Sequence, residues 1–176
     1  IRQAWHEKFY QGDGVYANGS QTALSFALYG LAPESEKAAV AAKLAENVRA
    51  RGHQIDTGIL GAKLVFNVLS ENGYHEDAYK MATQTKPPSY GDWIAKGATT
   101  LWEDWGGEQS LNHIMFGDIS AWFYKYLAGI RLYPRRPAFE QFTIRPMPAG
   151  DLRWVRAWTD TVRGRDRKST RLNSSH

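Results

Sequence analysis

Apolar residues recur at helical spacing along most of the chain before residue 131. The first such stripe contains Ala23, Leu24, Ala27, Leu28 and Leu31. Residues spaced three and four apart lie on one side of a helix, so each stripe marks a helix that buries one face. Further stripes lie within residues 40–48, 60–69 and 75–83. The pattern predicts consecutive helices, with loops at residues 12–19, 52–58 and 85–111.

The pattern of apolar positions changes near residue 130. Before that point, a last stripe predicts a long helix over residues 119–130, with Gly129 as a candidate for its end. After Pro134 and Pro137, short apolar runs at residues 142–144 and 152–158 predict β-strands. Two or three strands cannot close a β-sandwich, so this part of the sequence indicates only the beginning of a β-domain.

The lengths of the predicted loops bear on how the helices are arranged. Helices joined by short loops are usually antiparallel neighbours. Small residues on these helices permit close packing, as at Ala27, Ala41, Ala45 and Gly61. We therefore predict an array of helical hairpins rather than a four-helix bundle, with the informative loops at one end of the array.

The charge of the chain is concentrated at its C-terminal end. The formal net charge is +4, and from Arg163 onward there are five basic residues against one acidic residue. Residues 1–162 are therefore neutral overall, which argues against a nucleic-acid surface. No apolar run approaches the roughly 18–20 residues of a membrane-spanning helix. We expect neither nucleic acid nor membrane as a partner.

The two ends of the chain suggest that it is a piece of a longer protein. Ile1 begins what looks like the middle of an amphipathic helix, which predicts a truncated chain. Residues 166–176 contain one large apolar residue, Leu172, and we expect them to be disordered. This tail also resembles a translated cloning or adapter sequence, although a functional basic arm is a second interpretation.

The sequence lacks the motifs of several common kinds of active site. There is no cysteine, and no two histidines have the spacing of a zinc motif, so no metal site is predicted. The sequence also lacks the nucleophile elbow of serine hydrolases, the Walker phosphate-binding loop and the dinucleotide-binding fingerprint. Nucleotide-dependent and serine-hydrolase functions are therefore not indicated.

Residues 85–113 combine aromatic and polar side chains. The loop contains Tyr90, Trp93, Trp102, Glu103, Asp104, Trp105, Glu108, Asn112 and His113. Aromatic faces suit the C–H faces of a sugar ring, while carboxylates, amides and imidazole suit its hydroxyl groups. In an extended backbone Glu103 and Trp105 would share a face, and Asp104 would point elsewhere. A carbohydrate site is one interpretation; buried tryptophans with surface acids are the other.

Four sequence blocks resemble, in order, consecutive blocks of bacterial α-L-rhamnosidases. They are "YANGSQTALSFALYGLAPE" (16–34), "GHQIDTGILGAKLVFNVLSENG" (52–73), "PSYGDWIAKGATTLWEDW" (88–105) and "SLNHIMFGDISAWFYKYLAGI" (110–130). A fifth, "FEQFTIRPMPAGDLRWVRAWTDTVRGR" (139–165), resembles the start of that family's C-terminal β-sandwich. The likeness covers nearly all of residues 1–165.

The resemblance implies a mainly α fold and a domain organisation. Residues 1–133 would be the C-terminal half of a six-hairpin glycosidase domain, an (α/α)6 barrel, and residues 134–165 would begin the β-sandwich. It also implies hydrolysis of terminal α-L-rhamnosyl linkages with inversion, on a rhamnose-containing glycoside or oligosaccharide. No organic cofactor is expected.

The resemblance also implies roles for individual residues. Glu103 matches the family's general base, and His113 matches a histidine that hydrogen-bonds rhamnose. Trp105 and Tyr90 are the expected sugar-contacting rings, although the family more often has Trp at the position of Tyr90. In the family the general acid comes from an Asp/Glu-rich block further upstream, which residues 1–20 do not contain. We therefore expect this chain to be catalytically inactive by itself.

Two other functions remain open at this point. The first is a different six-hairpin enzyme, either another glycosidase or a polysaccharide lyase. A lyase would need a basic pocket for a uronate, and residues 88–113 contain Lys96 as their single cation. The second is a non-catalytic carbohydrate-binding module.

Overall fold

The computed structural model describes residues 1–133, 135–136, 138–161 and 164–171. The chain forms two compact units, of which the first is Ile1–Ile119 and the second begins at Ser120. Within the described residues, no helix is both long enough and apolar enough to cross a membrane.

The first unit consists mainly of helices. In chain order the elements are α1 (Arg2–Phe9), β1 (Tyr10–Gly12), β2 (Val15–Tyr16), α2 (Gln21–Phe26), α3 (Glu34–Ala50), α4 (Ile59–Glu71), α5 (His75–Ala82) and α6 (Tyr90–Ala95). A π-helical turn (Ala27–Leu31) extends α2, and a 3₁₀ turn (Ile114–Phe116) follows α6. Each apolar stripe that predicts a helix in this unit coincides with a helix.

Helix α4 lies at the centre of the packing in the first unit. It contacts α2 on one side and α5 on another, and α3 also packs against α2. The apolar stripes supply the core, in which Leu24, Leu44, Val65 and Leu69 are at most 1% exposed. Burial of side chains of this size stabilises a fold by about 1.5–3 kcal/mol each, so the stripes account for the close association of these helices.

Gly61 allows the loop before α4 to lie close to α2. A Cβ atom at this position would be 2.5 Å from Thr22 Oγ1 and 2.7 Å from Thr57 Cβ. No side chain could occupy that space without moving one of these neighbours. The small residue predicted to permit close packing therefore sets the position of Thr57, which belongs to the loop 52–58.

Asp77 of α5 joins three segments through one buried carboxylate. Its side chain is 5% exposed and accepts from Arg49 Nε at 2.9 Å and Arg49 Nη2 at 2.7 Å. His53 Nε2 lies 2.9 Å from Asp77 Oδ1. Burial alone would raise the pKa of Asp77, but Arg49 and His53 together lower it. The network ties the end of α3 and the start of the loop 52–58 to α5.

The predicted long helix is present but ends before Ile130. The structure has helix α7 (Asp118–Trp122), a π-helical turn (Phe123–Leu127) and then strand β3 (Ile130–Leu132). Gly129 separates them at φ +74°, and a Cβ there would lie 2.0 Å from the Arg145 carbonyl carbon. The helix therefore ends where the sequence offers Gly129 as its end, because a glycine in the left-handed region stops it, and Ile130, the last residue of the apolar stripe, lies outside it.

The second unit contains two antiparallel strand pairs. Strand β3 pairs with β4 (Phe142–Ile144), with Ile130 opposite Ile144. Strand β5 (Trp154–Thr161) pairs with β6 (Gly164–Arg171). A small core forms where Ala128, Ile130 and Ala157 pack against Phe139, Phe142 and Val155. The predicted strands near residues 142–144 and 152–158 are therefore present, while β3 precedes the expected domain boundary at residue 133.

Strand β6 differs from the expected disorder of residues 166–176. Residues 164–171 form a regular ladder with β5, in which Gly164 is opposite Thr161 and Arg171 is opposite Trp154. A main-chain ladder needs no apolar side chains on the added strand, which is why composition did not predict it. The rest of the expected tail, residues 172–176, lies outside the described residues.

We predict that Asp77→Asn lowers the free energy of unfolding by about 1–3 kcal/mol at pH 7, because charged hydrogen bonds from Arg49 are weakened in a buried place. A carboxylate with a lowered folded pKa stabilises the fold above its unfolded pKa of about 4, and this contribution is lost as the pH falls through the folded value. Urea unfolding of the chain at pH 7 and pH 3 measures both effects.

The matched control is Glu46→Gln. Glu46 forms an exposed ion pair with Lys43, with 67% of its side chain exposed. Such a pair contributes at most about 1 kcal/mol, so this variant should unfold almost as the unaltered chain does. A difference between Asp77→Asn and the unaltered chain that stays constant from pH 7 to pH 3 would contradict the assigned charge effect.

Candidate active site

Five aromatic side chains of the first unit form one cluster, which we call the aromatic cluster. Its members are Tyr90, Trp93, Trp102, Trp105 and Phe116. The ring centroids of Trp93 and Trp105 are 4.7 Å apart, and those of Trp105 and Phe116 are 4.4 Å apart. Trp93 and Phe116 are at most 2% exposed, whereas Tyr90, Trp102 and Trp105 are half-buried. The cluster thus combines two buried rings with three rings that are partly accessible to solvent.

The polar atoms of these rings hold the surrounding backbone in place. Trp105 Nε1 donates to the Thr57 carbonyl at 2.7 Å, and Trp93 Nε1 donates to the Trp105 carbonyl at 3.1 Å. Tyr90 Oη donates to the Phe116 carbonyl at 2.9 Å. A buried indole or phenol needs such a partner. These hydrogen bonds bring the predicted loops 52–58 and 85–111 together.

Burial has an electrostatic consequence for Tyr90. It raises the pKa of the phenol well above its ordinary value, and the nearby carboxylate of Asp118 raises it further. The hydroxyl therefore stays protonated and acts as a hydrogen-bond donor to the Phe116 carbonyl. Any contact of Tyr90 with a ligand would be made by its ring.

Glu103 lies in a loop that closes on itself, which we call the Glu103 loop (residues 101–113). Glu103 N donates to the Ser110 carbonyl at 2.9 Å, and His113 N donates to the Leu101 carbonyl at 2.8 Å. The hydroxyl of Thr100 also donates to the Leu111 carbonyl. These bonds pair the two arms of the loop, so that Glu103 and His113 lie on opposite arms at its base.

Asp104 organises the tip of the Glu103 loop. Its Oδ1 accepts from the backbone N–H groups of Gly106 at 2.8 Å, Gly107 at 2.9 Å and Glu108 at 3.3 Å, and its Oδ2 accepts from Gln109 N at 2.8 Å. Desolvation would raise the pKa of Asp104, but these four donors outweigh it and lower the pKa. Asp104 is therefore held as an anion.

Gly107 is required where the loop tip meets the aromatic cluster. Its φ is +77°, and a Cβ there would lie 2.7 Å from the Trp102 ring. Both the left-handed backbone and the close approach exclude a side chain. The backbone turns after residue 102. Glu103 and Trp105 therefore do not lie on one extended segment, and the expectation that they share a face does not apply.

The carboxylate of Glu103 has few partners compared with that of Asp104. It is half-buried, and its Oε2 lies 3.4 Å from Ser110 N, a long hydrogen bond. Among the described residues, no lysine, arginine or histidine forms an ion pair with it. The two adjacent acids therefore differ: the carboxylate of Asp104 accepts four backbone hydrogen bonds, whereas that of Glu103 accepts one long one.

His113 begins the 3₁₀ turn that follows the loop. Its Nδ1 accepts from Met115 N at 3.3 Å, so the imidazole caps the turn as an N-cap side chain does. This geometry assigns the proton of a neutral ring to Nε2, because Nδ1 is the acceptor. The side chain is half-buried, and Nε2 is the ring atom that could donate to a ligand.

Sequence reasoning missed one contributor to this site, Thr57, and left Asp104 as either a bystander or a supporting residue. Thr57 receives the Trp105 indole through its carbonyl, a long-range contact for which the sequence has no local signal. The role of Asp104 could have been found, because Asp followed closely by Gly106 and Gly107 is typical of a turn in which the side chain binds the backbone ahead of it. In the described part of the chain no group of three or more acidic, histidine or cysteine side chains could hold a metal ion.

Two family models match the chain. The bacterial α-L-rhamnosidase six-hairpin glycosidase domain matches residues 1–127, and the C-terminal domain of bacterial α-L-rhamnosidases matches residues 129–175. The chain is also similar to the α-L-rhamnosidase of Streptomyces avermitilis, with 33% identity across 93% of this chain and 17% of the relative, and to that of an Alteromonas species, with 29% identity across 93% and 19%.

Solved structures agree with these matches. The α-L-rhamnosidase from Dictyoglumus thermophilum has a TM-score of 0.89 at 36% identity and is matched over 98% of this chain and 20% of its own length. The Streptomyces avermitilis enzyme complexed with L-rhamnose has a TM-score of 0.91 at 30% identity, over 98% and 18%. The chain spans about a fifth of the length of these relatives, and the predicted family and fold class are confirmed.

We predict that Asp104→Ala loosens the tip of the Glu103 loop, because four backbone donors lose their acceptor. Hydrogen exchange of the amides of residues 106–109 should become about tenfold faster or more, the scale of one or more lost hydrogen bonds. Asp104→Asn should mainly expose the amide of Gln109, since one side-chain oxygen remains for the other donors.

The matched control for the loop tip is Glu108→Ala. Glu108 is an exposed acid of the same loop, and its removal leaves the Asp104 contacts intact. Amide protection at residues 106–109 that is equal in Asp104→Ala and Glu108→Ala would show that Asp104 does not organise the tip.

Proposed function

Because the chain belongs to the bacterial α-L-rhamnosidase six-hairpin glycosidase family, we propose that the enzyme containing it removes terminal α-L-rhamnose from glycosides or oligosaccharides. The reaction is hydrolysis with inversion at the anomeric carbon. Glu103 acts as the general base, and His113, Trp105 and Tyr90 contribute to the sugar site. The observation that supports the proposal is the closure of the Glu103 loop, whose backbone pairing ties together the two arms that carry Glu103 and His113, in the loop that also carries Trp105.

The surroundings of Glu103 suit a general base. In an inverting glycosidase one carboxylate takes a proton from the water that attacks the anomeric carbon. Glu103 can do so because its carboxylate has a single long hydrogen bond, to Ser110 N, and no cation pairs with it in the described part of the chain. An anion already satisfied by several donors would be a weaker proton acceptor.

The reaction also needs a protonated carboxyl group to assist the leaving group. In inverting enzymes this group lies about 6.5–9.5 Å from the base. Asp104 is unsuited to the role, because its backbone donors lower its pKa and keep it ionised. Glu108 is exposed to solvent. We assign the general acid to a part of the enzyme other than this chain.

The remaining site residues suit a deoxy sugar. L-rhamnose carries a methyl group in place of the hydroxymethyl group of most hexoses, so one side of it is unusually apolar. The accessible edges of Trp105 and Tyr90 offer apolar contact, and His113 Nε2 offers a hydrogen bond to a hydroxyl. The complex of the Streptomyces relative with L-rhamnose supports this choice of ligand.

We predict that Glu103→Gln lowers kcat for an aryl α-L-rhamnoside by about 10²–10⁴-fold in the enzyme containing this chain, because the proton acceptor is lost. Sugar affinity should change little, since the amide keeps the shape of the side chain. The control Glu108→Gln, in the same loop, should keep its kcat. Unchanged turnover in Glu103→Gln would eliminate the base assignment.

A second prediction separates the two functions of His113. His113→Asn keeps an N-cap acceptor for Met115 N but lacks the ring nitrogen Nε2, whereas His113→Ala lacks both. Both variants should weaken L-rhamnose binding by about five- to tenfold, the scale of one hydrogen bond. Only the alanine variant should also lower thermal stability. Rhamnose affinity that survives in His113→Asn would place the imidazole outside the sugar site.

A further inference from the structure

Gln21 is a buried amide whose two ends both bind the loop 52–58. The residue is the first of α2 and is 0% exposed. Its Nε2 donates to the Gln54 carbonyl at 3.0 Å, and its Oε1 accepts from Asp56 N at 2.9 Å. A fully buried amide that spans two residues of one segment fixes both the position and the direction of that segment.

The fixed segment leads directly to the aromatic cluster. Thr57 follows Asp56 and presents its carbonyl to Trp105 Nε1 at 2.7 Å. Trp105 in turn lies two residues after Glu103, and its carbonyl is held by Trp93 Nε1. A continuous series of contacts therefore runs from the Gln21 amide through Thr57 to the indole beside the Glu103 loop.

We propose that Gln21 is a positioning residue for the sugar site, acting through Thr57 on Trp105 and the Glu103 loop. The role in the reaction rests on the proposed function, whereas the effect on Trp105 does not. Gln21 itself reaches no substrate, because it is completely buried.

Other contacts of the loop 52–58 do not duplicate that of Gln21. Gln84 donates to the Gly52 carbonyl, Asp77 binds His53, and the side chain of Gln54 donates to the Lys86 carbonyl. All of these attach the loop at residues 52–54. At residue 56, Arg51 Nη2 contacts the exposed carboxylate of Asp56 at 3.1 Å, whereas Gln21 binds the backbone N–H immediately before the carbonyl that receives Trp105.

The direct test replaces the amide by an apolar side chain of the same length. In Gln21→Met the carbonyl of Thr57 loses its fixed position, so the Trp105 indole N–H should shift in a ¹⁵N–¹H spectrum and exchange with solvent about tenfold faster. The spectrum of Trp105→Phe identifies the resonance. The measurement uses the chain itself and needs no enzymatic activity.

The matched control is Asn47→Leu. Asn47 of α3 donates to the Gly19 carbonyl at 3.1 Å, so it is also an amide that binds a loop, but a loop that does not carry Thr57. This variant should lower thermal stability without moving the Trp105 resonance. A Trp105 resonance that is unchanged in Gln21→Met, or moved equally in Asn47→Leu, would overturn the proposal.

Gln21→Glu provides a second variant in case Gln21→Met folds poorly. At low pH the new carboxyl is protonated, and it can again donate to Gln54 and accept from Asp56 N–H. Above its pKa it cannot donate. The Trp105 resonance should therefore return toward that of the unaltered chain as the pH is lowered. Failure to return in a folded variant counts against the proposal.

The link to catalysis is tested in the enzyme containing this chain. Gln21→Met should lower kcat for an aryl α-L-rhamnoside by about ten- to a hundredfold, the cost of a small misplacement of catalytic groups, while Asn47→Leu should stay within about twofold. A moved indole with unchanged kcat would overturn the role in the reaction. If the unaltered enzyme neither binds nor cleaves rhamnosides, the proposed function fails, and the indole measurement decides the positioning role alone.

Discussion

The hydrogen bond from the Trp105 indole to the Thr57 carbonyl is the contact on which the candidate site depends. It joins two loops that are 48 residues apart in sequence. On one side of it, Gln21, Asp77 and Gly61 hold the loop 52–58 against the helices. On the other side, the backbone pairing and Asp104 give the Glu103 loop its form. A loop of this length would otherwise be free to take many conformations, and each would place Glu103 differently.

The carboxylates of two adjacent acids differ in their hydrogen bonds. Asp104 receives four backbone donors and is kept ionised, which suits a structural anion. Glu103 receives one long contact and is left available. The polar atoms of the aromatic rings are likewise engaged, since Trp93, Trp105 and Tyr90 all donate to backbone carbonyls.

Local patterns predicted the helices well and the site only in part. Apolar periodicity located α2 to α5 because each helix buries one continuous face. The last apolar stripe reaches Ile130, but the left-handed backbone of Gly129 and the approach of Arg145 end the helix before that residue. Strand β6 was missed because its pairing is made by the main chain. The loop containing Glu103 could be recognised from its residues, but the contacts of Gln21 and Thr57 depend on tertiary packing and could not.

The close packing of three indoles has an optical consequence. Trp93 lies 5.5 Å from Trp102 and 4.7 Å from Trp105, measured between ring centroids. At such separations the electronic transitions of the rings couple, so the aromatic circular dichroism of the chain should be dominated by this group rather than by its isolated tryptophans. Excitation energy will also pass rapidly among the three rings. A sugar resting on Trp105 would therefore alter the emission of all three rings. Intrinsic tryptophan fluorescence could then report sugar binding without an added label.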